Sequence, residues 1–290
     1  MIKLNAVPLD YEPRQKILPK LPQYVSPQGY SEPEMSEFES AFLCGILNTC
    51  RPKKILEVGV AGGATTAIIL QTLEDISEPY EMHSIDASAT FYRDKTKPSG
   101  FMAMVALQNN LFAPPQSTLH GKHEFYLGKF LPQVIDSIGS DIDFVILDTM
   151  HIMPGEGLDF LAVLPYLTPD AVVVLHDVTF NQTSVKNVNG HATTALFSAV
   201  TAEKFLNFLP DNNSKFVYPN IAAFKVNEHT RSNIENIFLT MTLRWAYLPS
   251  KGEINLYRTH YQRHYPKELC AIFNEAIKMN LYNMVIAPYV

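Results

Sequence analysis

The sequence predicts an α/β protein built around a doubly wound, mostly parallel sheet. Short β-rich runs alternate with helical runs from residue 54 to about residue 226, which is the pattern of repeated βαβ units. Residues 142–148 and 171–177 have nearly continuous apolar centres, as expected for strands that are buried on both faces. With 290 residues, of which 47% are hydrophobic, the chain can form one large core and an appendage.

Residues 1–50 are predicted to form an N-terminal arm and a cap helix. Residues 1–30 contain several prolines and no helical period, which favours an extended arm across the surface. Residues 31–34 (Ser-Glu-Pro-Glu) have the form of a capping box with proline in the first turn, and apolar residues follow at helical spacing. This helix is expected to pack beside the first strand, and it could also cover a ligand pocket.

Residues 51–226 are predicted to form the sheet domain. Strands are expected at 54–58, 80–86, 123–127, 143–148 and 171–176, with a crossover helix at about 158–165. The last two strands are expected within residues 215–218 and 221–226. Residues 87–122 are a long insertion with a helix at 101–111, and such an insertion near the ligand edge of a sheet usually forms a lid.

Residues 227–290 are predicted to form a C-terminal helical extension. Apolar residues keep one face in each of two helical runs, so both faces should be buried against the sheet domain or a second subunit. Residues 257–265 form an aromatic and basic stretch without hydrophobic alternation. A solvated connector or subunit contact is the simpler interpretation of this stretch, and a contact with an acidic or glycosylated substrate is the alternative.

The composition excludes several classes of protein. A formal charge of −6 argues against a nucleic-acid binder, which would usually have a basic face. The sequence has no apolar run as long as a membrane span and no apolar region typical of a signal peptide, so a cytoplasmic protein without membrane contact is expected. Cys44, Cys50 and Cys270 have neither disulfide nor zinc spacing and are expected to be reduced.

A glycine-rich loop joins the first strand of the sheet domain to the helix that follows. Its pattern is E-x-G-x-x-G-G, and a dinucleotide fingerprint would need glycines where Ala61 and Ala64 stand. The pattern resembles the first motif of class I S-adenosylmethionine (SAM)-dependent methyltransferases, whose loop holds the methionine part of the cofactor. An ordinary strand-to-helix turn is the alternative. The resemblance implies a seven-stranded Rossmann-like methyltransferase sheet and SAM contacts at Glu57, Gly59, Ala61, Gly62 and Gly63.

An acidic residue at the end of the next strand would complete a nucleoside site. Asp86 ends the run 80–86 and follows Gly63 by 23 residues, close to the spacing of about 20 seen when a carboxylate accepts both ribose hydroxyls. A solvated turn aspartate is the alternative for Asp86. Gly128 and Asp148 follow two further predicted strands, and we expect them to contact the cofactor as well.

Two aspartates with neighbouring histidines lie where later strands end. Asp148 is followed three residues on by His151, and His176 stands beside Asp177. Because ligands of open parallel sheets bind outside the carboxyl ends of the strands, these side chains should meet at one rim. Carboxylates and waters suit Mg²⁺, which can hold a hydroxyl in line for reaction while a histidine takes its proton.

The same residues resemble a narrower group. The D-x-x-H after one strand, the following crossover helix and the H-D that closes the next strand are similar to macrolide-sugar O-methyltransferases and cephalosporin-hydroxylase-like proteins, over about residues 52–180. The resemblance implies Asp148 and Asp177 as ligands of Mg²⁺ or another divalent metal and His151 as base. His176 replaces an acidic residue of that group and is either a third ligand or an orienting residue. Weak metal binding, Mn²⁺ or Fe²⁺, and a site without metal all stay open.

The function expected from the sequence is SAM-dependent O-methyl transfer to a hydroxyl of a small polar or glycosylated acceptor, with the protein as a monomer or homo-oligomer. Two alternatives are a metal-dependent oxygenase of the cephalosporin-hydroxylase type and a non-catalytic SAM-fold subunit that binds a partner. The facial-triad spacing H-x-D is not present at His176 and Asp177, which are adjacent. Asp148 could also simply cap the helix that follows it.

Overall fold

The structure of the protein is a computed structural model that describes residues 4–26, 29–112, 118–183, 189–207 and 220–286. Its strands form one sheet. They are β1 (Leu4–Asn5), β2 (Lys54–Val58), β3 (Glu81–Asp86), β4 (Lys122–Leu127), β5 (Ile142–Leu147), β6 (Leu167–His176), β7 (Glu203–Phe205) and β8 (Ile221–Lys225).

The strand order defines where a ligand can bind. The order across the sheet is β1-β7-β8-β6-β5-β2-β3-β4, and every pair is parallel except those made by β8. The chain runs outward from β2 to β4 on one side and outward from β5 on the other, so the order reverses between β2 and β5. Ligands of doubly wound sheets bind at this switch point, outside the carboxyl ends of the strands.

Helices cover both faces of the sheet. They are α1 (Glu12–Ile17), α2 (Glu37–Cys50), α3 (Ala64–Ile76), α4 (Phe101–Gln108), α5 (Leu131–Ile138), α6 (Gly155–Val163), α7 (Phe180–Thr183), α8 (Ala192–Ala199), α9 (Glu228–Ser232), α10 (Glu235–Thr240), α11 (Lys251–His264) and α12 (Lys267–Ile286).

Alternation along the central strands divides the core into two layers. In β5, Phe144 and Ile146 pack toward α1 to α4, whereas Val145 and Leu147 pack toward the layer that contains α5, α6, α8 and α10 to α12. Successive side chains of a strand point to opposite faces, so a strand with helices on both sides must be apolar throughout. This explains the continuous apolar runs that predicted the doubly wound sheet, and the predicted fold class is confirmed.

The N-terminal arm is more regular than the sequence predicts. It adds β1 to the predicted seven strands as an eighth, paired parallel with β7, and it contains the short helix α1. Pro13 occupies the first turn of α1, where its missing N–H costs no hydrogen bond, and Ile17 is fully buried. The prediction of a wholly extended arm is therefore wrong because proline density marked helix starts as well as extended chain.

The cap helix begins later than predicted. α2 starts at Glu37, and the capping box is formed by Ser36 and Glu39: the Ser36 N–H donates to Glu39 Oε2 at 2.6 Å and the Glu39 N–H donates to Ser36 Oγ at 3.3 Å. Residues 31–34 do not cap a helix and lie before it. The prediction of the capping box at residues 31–34 is therefore wrong by five positions.

The last strands also differ from the prediction. β8 falls within the predicted 221–226, but the neighbouring strand β7 is at Glu203–Phe205, and the predicted strand at 215–218 lies outside the described residues. The three-residue β7 has too little apolar patterning to be recognised from sequence. The helix expected at 101–111 is present as α4, and the crossover helix expected at about 158–165 is present as α6.

The C-terminal extension packs on the sheet domain. Ile237, Phe238, Trp245 and Phe273 belong to the same core layer as β5, β6 and α6. Residues 257–264 are part of α11 and Tyr265 caps its end; Tyr261 is fully buried there with its hydroxyl donating to Leu158 O at 2.7 Å. Interpreting this stretch as a solvated connector is wrong, since its tyrosines form the buried face of the helix. No helix among the described residues is long and apolar enough to cross a membrane.

Removal of a buried side chain from the extension should destabilise the whole fold. We expect Phe273→Ala to lower the free energy of unfolding by about 3–5 kcal/mol, because the phenyl ring is 1% exposed within the shared core. Met279→Ala on the same helix, at 47% exposure, should change it by less than about 0.5 kcal/mol. Urea unfolding of both variants measures the difference. A change in the free energy of unfolding as small for Phe273→Ala as for Met279→Ala would show that α12 does not contribute to the core.

Candidate functional site

The glycine loop is shaped by close contacts within the protein. Gly59 has φ of 95°, and a Cβ there would lie 1.8 Å from the carbonyl oxygen of Asp148. Gly63 has φ of 84°, and a Cβ there would lie 2.7 Å from the Cα of Gly100. A side chain at either position would therefore collide with backbone that cannot move aside easily. The glycines allow the loop to press against the end of β5 and the start of α4.

Asp86 holds the glycine loop. Its Oδ2 accepts hydrogen bonds from the backbone N–H groups of Val60 at 3.1 Å and Ala61 at 3.0 Å, and its Oδ1 accepts one from Ser88 N–H at 2.8 Å. A carboxylate has about four acceptor sites, so these three bonds leave capacity for one further donor. Asp86 lines the cavity described below, as the sequence predicts, but it also organises the loop.

Glu57 lies beneath the loop and not in the cavity. It is 1% exposed and accepts hydrogen bonds from Ser84 Oγ at 2.6 Å and Thr66 Oγ1 at 2.8 Å. Burial raises the pKa of Glu57 to about 8, although the two hydroxyl donors act in the opposite direction. Glu57 thus ties β2 to β3 and to the start of α3.

Two aspartates and a histidine meet at the carboxyl ends of β5 and β6. Asp148, His151 and Asp177 each offer one atom, and these atoms lie within 4.8 Å of one another. His151 Nε2 is 3.0 Å from Asp177 Oδ2 and 3.7 Å from Asp148 Oδ1. We call these three residues the acidic cluster. The sequence predicted that they would share one rim, and the structure brings them together.

Contacts around the acidic cluster fix its backbone. His151 and Asp177 both have left-handed backbone conformations, with φ of 60° and 61°. Glu156, fully buried on α6, accepts the His151 N–H at 2.8 Å through Oε1, which is also 3.2 Å from His151 Nδ1. Ala192 N–H donates to His151 O at 3.0 Å, and Thr193 Oγ1 donates to Asp177 O at 2.7 Å. Groups outside the cluster therefore hold the left-handed backbone conformations of His151 and Asp177 in place.

The charges of the acidic cluster compensate one another. Burial alone would lower the pKa of His151, but its hydrogen bond with Asp177 and its contacts with Glu156 and Asp148 hold it well above the ordinary value. Burial would raise the pKa of Asp177, but the hydrogen bond with His151 and the charges of His151 and His176 hold it below its usual range. Among the described groups alone, His151 is an imidazolium paired with an aspartate.

His176 stands behind the acidic cluster. Its Nδ1 is 3.1 Å from Asp148 Oδ1, and its Nε2 is 3.6 Å from Oε1 of Glu39 on α2. The set of atoms within 4.8 Å does not include His176. Of the two roles that the sequence left open for His176, the geometry favours orientation of Asp148 over metal ligation. Asn220 acts similarly on Asp177 by donating from Nδ2 to Asp177 Oδ1.

One cavity of about 620 Å³ joins the glycine loop to the acidic cluster. This volume is in the range of small-molecule sites. Its loop end includes Gly59, Val60, Ala61, Thr65, Asp86, Ser88 and Lys129, and its other end includes Asp148, His151, His176 and Asp177. The predicted contact residues that lie behind this lining are Glu57, Gly62, Gly63 and Gly128.

The cavity also has walls that sequence reasoning did not identify. The segment before α2 contributes Glu32, Glu34 and Met35, and the C-terminal extension contributes Tyr247, Pro249, Glu253 and Tyr257. Asp159 on α6 accepts a hydrogen bond from Tyr257 at 2.6 Å. Two carboxylates in the otherwise apolar run of α6, Glu156 and Asp159, were a readable signal for buried polar roles. The arm and the extension carried no such signal.

The raised pKa of Glu57 predicts a pH-dependent stability. The folded state keeps the proton up to about pH 8 and the unfolded state loses it near pH 4.5, so this group lowers stability as pH rises through that interval. Glu57→Gln cannot ionise and should gain in melting temperature over the parent by about 3 °C per pH unit between pH 5 and 8. Calorimetric scans measure the gain.

The exposed Glu268→Gln variant is the matched control and should keep a constant difference from the parent across this range. A constant difference for Glu57→Gln would contradict the protonated state of this side chain.

Comparison with known proteins agrees with the geometry. Residues 56–178 match a family model described as a methyltransferase domain. No curated protein sequence matches the chain significantly. Among solved structures, the O-methyltransferase TomG from Streptomyces achromogenes, involved in tomaymycin synthesis and in complex with SAM, is 16% identical with a TM-score of 0.47, covering 67% of this chain and 83% of that one.

An O-methyltransferase from Bacillus cereus in complex with SAH (S-adenosylhomocysteine) is 16% identical with a TM-score of 0.42, covering 74% of this chain and 91% of that one. A SAM-dependent O-methyltransferase from Thermotoga maritima is 13% identical with a TM-score of 0.40, covering 74% of this chain and 71% of that one. The assignment rests on the family model, which begins in the strand before the glycine loop and ends directly after Asp177. Residues 56–178 therefore belong to a methyltransferase domain, and the enzyme that this domain supports is a SAM-dependent methyltransferase.

Proposed function

We propose that the protein transfers the methyl group of SAM to a hydroxyl of a small polar or glycosylated molecule. The observation that carries this proposal is the single cavity that connects the glycine loop with the acidic cluster. Methyl transfer requires the acceptor oxygen to reach the sulfonium methyl in line, so cofactor and acceptor must share one space. A cavity with a nucleoside end and a proton-accepting end meets this requirement.

The loop end would bind the cofactor. Gly59 and Ala61 present backbone to the cavity, and Asp86 has one acceptor site left for a ribose hydroxyl. Asp148, the member of the acidic cluster that contacts Gly59 through its backbone, also lines the cavity. The glycines at 62 and 63, together with Glu57, would act by shaping the loop, and Gly128 would act through the close approach of its turn to Ala89.

The acidic cluster fits a divalent cation. Two carboxylates and one imidazole converge within 4.8 Å, and two aspartates leave the cluster without excess positive charge. Asp148 and Asp177 would hold the ion, which when bound would lower the pKa of an acceptor hydroxyl and orient it, and His151 would lie beside the ion as the base. His176 and Asn220 would position the two aspartates from behind.

The charge state of His151 couples the base to the cation. As an imidazolium paired with Asp177, His151 has no free lone pair at Nε2 and cannot accept a proton. It becomes an acceptor only after it releases the Nε2 proton to solvent, which is favoured when a bound cation takes over the pairing with the two aspartates. His151 Nε2 can then serve either as a ligand or as the base in one turnover, but not as both. Asp148 would assist by accepting the hydrogen bond of the acceptor hydroxyl.

Both segments outside the methyltransferase domain would select the acceptor. We propose a division into the arm and cap helix at 1–50, the SAM-binding domain at 51–226 and the extension at 227–290. The extension supplies two tyrosines, a proline and a glutamate to the cavity wall near Leu158 and Asp159. Aromatic faces with carboxylates and hydroxyls are suited to ring-shaped polar molecules such as sugars.

The cluster composition argues against the oxygenase alternative. Oxygenases of that kind hold iron with two histidines and one carboxylate, whereas the set found among the described residues has one histidine and two carboxylates. The size of the cavity and its buried polar groups likewise favour an enzyme over a subunit that only binds a partner.

Ligand binding is the first test. SAM should raise the melting temperature, by an amount equivalent to about 2.7 kcal/mol at one hundred times its Kd, because it binds only the folded state. NAD should have no effect at the same concentration, since the loop lacks the dinucleotide glycine spacing. Differential scanning fluorimetry measures both. An equal response to the two nucleotides would reject a SAM site.

Metal binding is the second test. Mn²⁺ titrated into the SAH complex should bind the parent, as followed by the loss of the free-ion signal in electron paramagnetic resonance. Asp177→Asn should weaken this binding at least 10-fold, while the SAM Kd stays within about 2-fold because Asp177 belongs to the acidic cluster and makes no contact with the glycine loop among the hydrogen bonds of the described residues. The Glu37→Gln variant, an exposed carboxylate at the start of α2, is the control for bulk charge.

The same variants test the chemistry. With labelled-methyl SAM and a panel of sugars and other small hydroxyl compounds, His151→Ala should transfer methyl groups about 10²–10⁴-fold more slowly than the parent. Full transfer by Asp177→Asn without Mn²⁺ binding would remove the cation from the proposal. Full transfer by His151→Ala would remove the base, and transfer would then depend on positioning alone.

A further inference from the structure

Glu32 is the residue of the arm that reaches the cofactor end of the cavity. It lines the cavity, and its side chain lies against the glycine loop: a Cβ on Gly62 would come within 2.8 Å of Glu32 Cδ and 3.0 Å of Oε2. Gly62 itself does not line the cavity. The Glu32 carboxyl group therefore occupies the space that a side chain at position 62 would fill.

The Glu32 carboxyl group lacks a donor of its own. Its Oε1 is buried and has no hydrogen-bond partner among the described residues. The adjacent Glu34 contrasts with it, since Arg93 donates to both Glu34 oxygens at 2.6 Å and Tyr92 donates to Oε1 at 2.5 Å. The guanidinium of Arg93 is thus committed to Glu34, and it also stacks on the Tyr30 ring at 4.0 Å.

A buried carboxylate oxygen without a hydrogen-bond donor lowers the stability of the folded protein unless a ligand supplies the donor. Burial raises the pKa of Glu32 to about 7, and the charges of Glu34 and Asp148 act in the same direction while Arg93 opposes them. A buried acceptor without a donor costs free energy that a charged donor would recover. The position of Oε1 therefore points to a cationic ligand group that carries N–H bonds.

We propose that Glu32 binds the α-ammonium group of the methionine part of SAM, as a cofactor-binding residue contributed by the N-terminal arm. This inference rests on the proposed SAM site. SAM carries two positive groups, the ammonium and the sulfonium, and only the ammonium has N–H bonds to donate to Oε1. The methionine part is also the portion expected at the glycine loop, against which Glu32 packs.

The arm would then be part of the cofactor site and not only a roof above it. The Arg93 contacts hold residues 30–34 to the 90–97 segment, whose ends are paired between Thr90 and Pro98. Binding of the ammonium group would join these two segments to the glycine loop through the ligand.

Three nucleosides separate this role from others. SAM and SAH both carry the α-ammonium group, SAM alone carries the sulfonium, and 5′-methylthioadenosine carries neither. We expect Glu32→Gln to weaken SAM and SAH alike, by roughly 10- to 100-fold, and to leave 5′-methylthioadenosine within about 2-fold of the parent. Isothermal titration calorimetry on the full-length protein measures all three affinities.

Two further variants complete the experiment. Glu32→Asp keeps the charge with a shorter reach and should recover part of the lost affinity for SAM and SAH. Glu37→Gln removes an exposed carboxylate at the start of α2, five residues after Glu32, and this variant should bind all three nucleosides like the parent. Unchanged binding of 5′-methylthioadenosine also shows that each variant is folded.

Each contrary outcome has one meaning. Equal weakening of all three nucleosides would show that Glu32 shapes the cavity, and unchanged SAM affinity would show that it does not reach the ligand. Weaker binding of SAM with unchanged binding of SAH would assign Glu32 to the sulfonium. Each of these three outcomes would overturn the proposed contact between Glu32 and the ammonium group. A parent protein that binds none of the nucleosides would overturn the proposed function together with this inference.

Discussion

The contact between the glycine loop and the end of β5 is the constraint on which the site depends. Asp148 N–H donates to Val58 O at 2.9 Å and Gly59 N–H donates to Ile85 O at 2.9 Å, so the three central strands stay paired up to the residue where each turns away. Gly59 then passes so close to the Asp148 carbonyl that no side chain fits. Because of this closeness, the cofactor loop and the first carboxylate of the acidic cluster are neighbours, and one cavity can serve both.

Charge is arranged in layers around this junction. Glu57 lies below the loop and is kept protonated by burial, whereas Asp86 accepts hydrogen bonds from two backbone N–H groups of the loop. At the rim, imidazole and carboxylate groups neutralise one another, and buried partners such as Glu156 fix their orientation. These buried partners keep the rim side chains at the cavity surface before a ligand enters.

The segments outside the sheet domain complete the site. The arm reaches the cavity just before α2 begins and contributes carboxylates near the glycine loop. The extension packs on α6 and contributes Tyr247 and Tyr257 to the cavity wall. Both additions depend on ordinary core packing far from the chemistry. A loss of packing in α12 would therefore alter the acceptor wall even though no α12 side chain that the structure describes lines the cavity.

The sequence by itself determined the strands, the cofactor loop and the carboxylates at the strand ends, since each follows from a pattern of neighbouring residues. Apolar runs located β2 to β6, glycine spacing located the cofactor loop, and strand ends located Asp86, Asp148 and Asp177, because each of these signals lies within a few adjacent residues. Only the tertiary structure decided which group each side chain meets. The sequence left His176 open as a third metal ligand or an orienting residue and predicted a cofactor contact at Gly62. Only the fold places His176 Nδ1 3.1 Å from Asp148 Oδ1 and brings the side chain of Glu32, 30 positions earlier in the chain, against Gly62. The cavity walls from Glu32 and Tyr247 were invisible for the same physical reason: contacts between residues far apart in sequence arise from how layers pack, and no local pattern records them.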